Sequence, residues 1–212
     1  TRLRKVGWEL TSKAIFQHPR LADLAAVMTP VSAAPMVVPR AVGELPLTPI
    51  QAHFFSLPMA NRAHWNQALL LEVRRPLQTE HLQHALQGLI EHHDALRLAF
   101  RENRSEGWQA FYRDEERAER LFWQRRVESD EALQALCEAA QRSLDLQHGP
   151  LLRVLLADLP DGSQRLLLAA HHLIVDGVSW RVLLDDLARA YQQVVAGQPV
   201  ELGDRPGSYQ AW

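Results

Sequence analysis

The stretch "AAHHLIVDGVSW", residues 169–180, carries the residues best suited to chemistry. His171 and His172 close an apolar run, and three apolar residues later the chain turns on Asp176 and Gly177. An imidazole titrates at about pH 6.5, so it serves as acid or base near neutrality. The preceding "QRLLLAAHH" reads as a buried strand. Successive side chains of a strand point to opposite faces, so the two histidines have different jobs. One is expected in packing, and the other is aimed from a rigid strand end into a cleft. Asp176 is placed to accept a hydrogen bond or meet a cation. Gly177 suits a close backbone approach or a positive φ. A helix beginning near Val178 would bring its N-terminal amides beside the site.

Other chemistries fit less well. Adjacent strand histidines diverge, so both reaching one metal is awkward, and no helical His-x-x-x-His pair or cysteine set supports one; no metal is expected. Ser179 lacks a nucleophile elbow and suits a helix cap instead. A second pair, in "EHHD" at 91–94, falls at the end of an amphipathic helix, where histidines suit the dipole. His92 and His93 are therefore read as surface or boundary residues. Cys137 shares a helical face with Leu133, Leu136, Ala140 and Leu144, as a buried small hydrophobe does. On the residues alone, two core histidines beside an ordinary turn remain the alternative.

The elements that must position these residues are of mixed type. "PLTPIQAHFFSL" reads as a helix with Pro49 in its first turn, and "HWNQALLLEV" as a strand. "TEHLQHALQGLIEHHDAL" is an amphipathic helix capped by Thr79. "RLAFRE" and "WQAFYR" form a strand pair, and "FWQRRV" is a further strand. "SDEALQALCEAAQRSL" is a helix capped by Ser129. "LLRVLLADL" and "QRLLLAAHH" join through "PDGS", which has hairpin-turn chemistry. A long helix then runs from "VSW" to Gly197. The pattern is α+β, without regular βαβ alternation.

Residues 1–28 read as short helices, and 29–43 as a semi-extended linker with Pro30, Pro35 and Pro39. The chain ends at "GSYQAW" without a finishing element, as half of something larger would. Apolar residues make up 47% of the 212 and charged residues 23%, enough to bury a core. The formal net charge of -2 points to neither nucleic acid nor membrane. The single cysteine and the absence of a signal-peptide pattern suit a cytoplasmic protein.

"HHLIVDG" matches the His-His-x-x-x-Asp-Gly signature of the condensation superfamily of nonribosomal peptide synthetases. "DGVSWRVLLDDL", "LPLTPIQ" and "HWNQALLLEV" resemble its epimerization branch more than its condensation branch. A condensation domain usually has Trp-Phe after the first glutamine, where Gln51 here precedes "AHFF". "HHDALRLAF" resembles the family's His-x-x-x-Leu-Arg segment, with its arginine at Arg97. "ELTSKAIFQHPRLADLA" resembles the tail of a peptidyl carrier domain.

The resemblance implies a carrier tail over 1–28, a linker over 29–43 and the N-terminal lobe of an epimerization domain over 44–212. It implies a chloramphenicol-acetyltransferase-like lobe, a mixed sheet with flanking helices, as one half of a two-lobed, V-shaped domain. It assigns His172 as tunnel-facing acid/base, and His171, Asp176, Gly177 and Arg97 as supporting residues, with Asp176 paired to Arg97. The reaction implied is L-to-D epimerization of a residue held on a carrier as a phosphopantetheine thioester. No cofactor would be bound directly; the partner carrier domain presents the phosphopantetheine arm. The other implied partners are the C-terminal lobe, whose glutamate serves the opposite face, and neighbouring synthetase modules. The alternatives are a condensation domain forming a peptide bond between carrier-bound substrates, and a catalytically silent carrier-docking module.

Overall fold

Contacts divide the chain into two compact units, Thr1–Val37 and Val38–Trp212. The computed structural model describes residues 3, 6–31, 38–103, 105, 107–205 and 207–210, except for the side chain of Ser12. In the first unit, strands β1 (Trp8–Glu9) and β2 (Thr29–Pro30) pair antiparallel. Helices α1 (Ser12–Gln17) and α2 (Leu21–Ala26) lie between them in sequence. Thr11 caps α1 by accepting the Ala14 amide. Of the span expected to be linker, Thr29 and Pro30 belong to this small sheet, and 32–37 lie outside the described residues.

The second unit runs β3 (Gly43–Leu45), α3 (Pro49–Ser56), β4 (Asn66–Val73), α4 (Thr79–His92), β5 (Leu98–Asn103) and β6 (Gly107–Tyr112). It continues α5 (Ala118–Leu121), β7 (Phe122–Arg126), α6 (Asp130–Arg142), β8 (Leu152–Asp158), β9 (Gln164–His171) and α7 (Gly177–Val195). Single 3-10 turns sit at Arg62–His64 and Asp94–Arg97.

The central sheet has the order β4-β9-β8-β7. β8 and β9 form the expected hairpin, and Gly162 takes the positive φ (+82°) that its turn requires. β4 pairs antiparallel with β9, and β7 pairs parallel with β8, so the sheet is mixed. That parallel pair needs a crossover, which α6 supplies. The strand predicted from "FWQRRV" is thus present, but as the parallel edge. A second sheet, β3-β6-β5, carries the pair predicted around "NRSEG".

Helices cover both faces of the central sheet. Ala140, with Leu136 and Cys137, packs α6 on Leu155, Leu167 and Ala169. On the other face α4 and α7 pack over Val154, Leu156, Leu166, Leu168 and Ala170. Burial on both faces is why β8 and β9 read as continuous apolar runs rather than alternating ones. α4 buries Leu82, Ala85, Leu86, Leu89 and Ile90, spaced on one helical face. Replacing one such leucine by alanine would cost about 2–5 kcal/mol.

Local capping follows the sequence at α6 and α3 and departs from it at α4. Ser129 caps α6, and Thr48 and Gln51 form a reciprocal capping box around Pro49 in α3. Thr79 is not the cap of α4. Gln78 occupies that position without a side-chain bond, and Thr79 Oγ1 donates instead to Gln124 Oε1 on β7 at 2.6 Å. Cys137 is half-buried, and burial pushes its thiol pKa up, away from nucleophile chemistry.

Candidate active site

β9 ends on the two histidines, and alternation separates them as expected. His171 is fully buried and His172 is exposed. His171 engages both ring nitrogens with backbone. Nε2 lies 2.8 Å from the Arg62 carbonyl, and Nδ1 accepts the Leu173 amide at 3.1 Å. A carbonyl only accepts, so the proton of His171 sits on Nε2. Phe54 packs edge-on against this ring with centroids 5.7 Å apart. Burial pushes the His171 pKa down, opposed by the Arg62 carbonyl. This ring is a neutral brace.

His172 has the opposite tautomer. Its Nδ1 lies 2.8 Å from the Val175 carbonyl and so carries the proton. Its Nε2 is left with a lone pair. The backbone amide of His172 donates to the Trp65 carbonyl at 2.9 Å, which holds the strand end against the start of β4. An imidazole protonated on Nδ1 keeps its Nε2 lone pair for accepting a proton.

Asp176 and Arg97 are not partners, contrary to expectation. Asp176 is exposed and caps α7: its Oδ1 accepts the amides of Val178 (3.0 Å) and Ser179 (2.7 Å) and the Ser179 hydroxyl (2.7 Å). The bonds from Ser179 hold the Asp176 pKa below the usual carboxylate range. Ser179, expected as a cap, is the capped residue. Arg97 is fully buried and pairs with Asp94 at 2.5 Å, while donating to the carbonyls of Ala41 and Arg113. Asp94 also accepts the Ala41 amide at 3.1 Å. The ion pair therefore ties β5 to the start of the second unit and does not hold the Asp-Gly loop. Its separation in sequence is three residues, one turn of the 3-10 segment Asp94–Arg97, whereas Asp176 already has a full set of local donors.

Gly177 also departs from expectation. Its φ is not positive, and nothing lies within 4 Å of where a Cβ would stand. Neither close approach nor a left-handed backbone requires glycine there among the described residues.

A cavity of about 610 Å³ opens beside His172. Gln51, Phe54, Trp65, Ile174 and Asp176 help line it. The segments "LPLTPIQ", "HWNQ" and "HHLIVDG", far apart in sequence, thus meet at one cleft. Two polar residues at this site were not singled out from the sequence: Gln67 and Trp180. Gln67 Nε2 lies 3.2 Å from His172 Nε2, and Gln67 Oε1 accepts the Trp180 indole N–H at 2.9 Å. A signal existed. Gln67 pairs with Ala170 in the β4–β9 register, which puts it on the face of His172.

Residues 41–212 match the model of the condensation domain family. The chain belongs to the condensation-domain family of nonribosomal peptide synthetases. It is 38% identical over 99% of its length to surfactin synthase subunit 1 of Bacillus subtilis (strain 168), spanning 6% of that relative. It is 36% identical, across its whole length, to tyrocidine synthase 2 of Brevibacillus parabrevis, again spanning 6% of it. Among solved structures, the epimerization domain from the third module of tyrocidine synthetase B superposes with a TM-score of 0.75 at 35% identity. That match covers 82% of this chain and 41% of the other, the extent of one lobe of the condensation-type fold. The starter condensation domain of rhizomide synthetase shares the fold, with a TM-score of 0.61 at 19% identity over 74% of this chain and 40% of the other.

Proposed function

We propose that this condensation-type lobe contributes half of an epimerization site, acting on the Cα of an aminoacyl or peptidyl thioester held on a carrier domain. The observation that carries the reading is the exposed His172, protonated on Nδ1, at a cleft lined by parts of "LPLTPIQ", "HWNQALLLEV" and "DGVSWRVLLDDL", the segments that resemble the epimerization branch. The similarity to a solved epimerization domain, at 35% identity against 19% for a starter condensation domain, supports the same choice.

The thioester carbonyl acidifies the Cα proton. The Cα–H bond breaks, its electron pair delocalises onto the carbonyl oxygen as an enolate, and the proton passes to His172 Nε2. A positioned base of this kind contributes about 10²–10⁴-fold. Return of a proton to the opposite face completes inversion and needs a second group, which a glutamate of the other lobe would supply. His171 braces the strand end, and Asp176 orders the first turn of α7. The phosphopantetheine arm belongs to the substrate-bearing carrier. The first unit, on this reading, is the end of such a carrier domain.

Chain 1–212 alone is expected to be nearly inactive, because it holds one face of the site. Rapid α-deuterium uptake by an aminoacyl-carrier substrate incubated with this chain alone in D₂O would contradict the half-site reading. The family model's description favours one second reading, a condensation domain in which His172 assists the attacking amine. The product separates the two: inverted stereochemistry on one carrier, or a new amide between two.

A further inference from the structure

We infer that Gln67 is a positioning residue for His172, and that Trp180 locks its amide in the required orientation. The indole N–H of Trp180 can only donate, so the Gln67 atom 2.9 Å away must be the oxygen. The NH₂ of Gln67 then faces His172 Nε2 at 3.2 Å. The Val175 carbonyl already holds the ring proton on Nδ1, so Nε2 accepts from Gln67. The result is one directed chain: Trp180 donates to Gln67, Gln67 donates to His172, and His172 donates to Val175.

Three elements anchor this chain. Trp180 is buried in the first turn of α7, Gln67 stands at the start of β4, and His172 follows β9. The ring is thus held at both nitrogens beside the cleft, with the Nε2 lone pair accepting the Gln67 N–H. The lock also has a chemical consequence. Once Nε2 takes a proton, it needs an acceptor, and Gln67 can offer its oxygen only by flipping away from Trp180. The fixed amide therefore favours the bare nitrogen and prompt return of the proton. Substrate must displace the Gln67 N–H as its Cα–H arrives.

This inference rests on the epimerization reading only for the reaction that is measured. The test uses the full-length protein with a loaded carrier, following α-deuterium exchange. Gln67→Met keeps the volume and removes both polar groups. Gln67→Glu keeps an acceptor for Trp180 and places a carboxylate beside Nε2. Each is expected to lower kcat about 10–100-fold, the scale of loss when a catalytic group is misplaced by about 1 Å. KM for the loaded carrier should stay within about twofold. In Gln67→Glu the acid-side fall of the rate should also move to higher pH, because the carboxylate holds a proton on Nε2. Trp180→Phe should lose less, and Gln67→Met with Trp180→Phe should lose no more than Gln67→Met alone, since both act through one chain.

A readout independent of turnover is the imidazole ¹⁵N signal of His172. Near neutral pH, Gln67→Glu should protonate Nε2, while Gln67→Met should leave the Nδ1–H form. Wild-type kcat in both Gln67 variants, or fully additive losses in the double variant, would overturn the inference. Wild-type protein that forms an amide without α-exchange would instead overturn the epimerization reading. The same variants would then be scored on amide formation.

Discussion

Two His-His pairs followed by an aspartate sit in this lobe, and they do different work. His92 and His93 end the helix α4, so their rings meet, with centroids 4.8 Å apart. His93 Nε2 lies 2.8 Å from Asp186 on α7. Burial and then His93 push the His92 pKa down. Asp94 next to them is buried and braces Arg97. His171 and His172 end a strand, so their rings part: one is buried and the other faces the cleft. Asp176 beyond them is exposed and caps a helix. The same residue types give a brace at a helix end and an exposed, cleft-facing imidazole at a strand end. Backbone period decides which.

The comparison breaks most easily at the aspartates. Asp94→Ala leaves the Arg97 guanidinium buried without its carboxylate, and should cost about 3–5 kcal/mol in denaturant unfolding. Asp176→Ala removes a cap, and should cost about 1 kcal/mol. Similar losses at the two sites would dissolve the distinction between brace and cap. The Asp176 contribution depends on pH with a definite sign. Its folded pKa is depressed, so the stabilisation is present above the ordinary carboxylate range and is lost as pH falls through the folded value. Unfolding of Asp176→Ala and of the parent should therefore converge in acid.

His171 sharpens the histidine side. Its ring is held neutral by burial, so the unfolded chain binds a proton below about pH 6.5 that the folded chain resists. Stability should fall between pH 7 and 5, by up to about 1.4 kcal/mol per pH unit from this group. His171→Gln should flatten that slope, as measured by unfolding across the range. Gly177→Ala should change stability by less than about 0.5 kcal/mol, because the site is open and exposed and its φ is not positive. A large loss there would mean that the glycine answers to packing.

Much of this was legible in the sequence. Alternation along "LLLAAHH" separates the histidines, Ser129 and Pro49 mark their helices, and "PDGS" marks its hairpin. Three things escaped for physical reasons. The Asp94–Arg97 pair is local, three residues apart, but a long-range partner at Asp176 is equally consistent with charge and spacing on paper. Only the local donors that occupy Asp176 decide against it. Gln67 reaches His172 through strand register, which one chain's residue pattern does not fix before the β4–β9 pairing is known, and Trp180 reaches Gln67 across the packing of α7. The parallel placement of β7 escaped likewise, since periodicity carries no strand order.

On the proposed function, His172, and not its buried neighbour, moves the Cα proton. In the full-length protein with an aminoacyl-loaded carrier in D₂O, His172→Ala should slow α-deuterium incorporation by about 10²–10⁴-fold. Its unfolding free energy should stay within about 0.5 kcal/mol, as for an exposed side chain. Wild-type exchange in His172→Ala, with the loss appearing instead in a normally stable His171→Gln, would contradict the account.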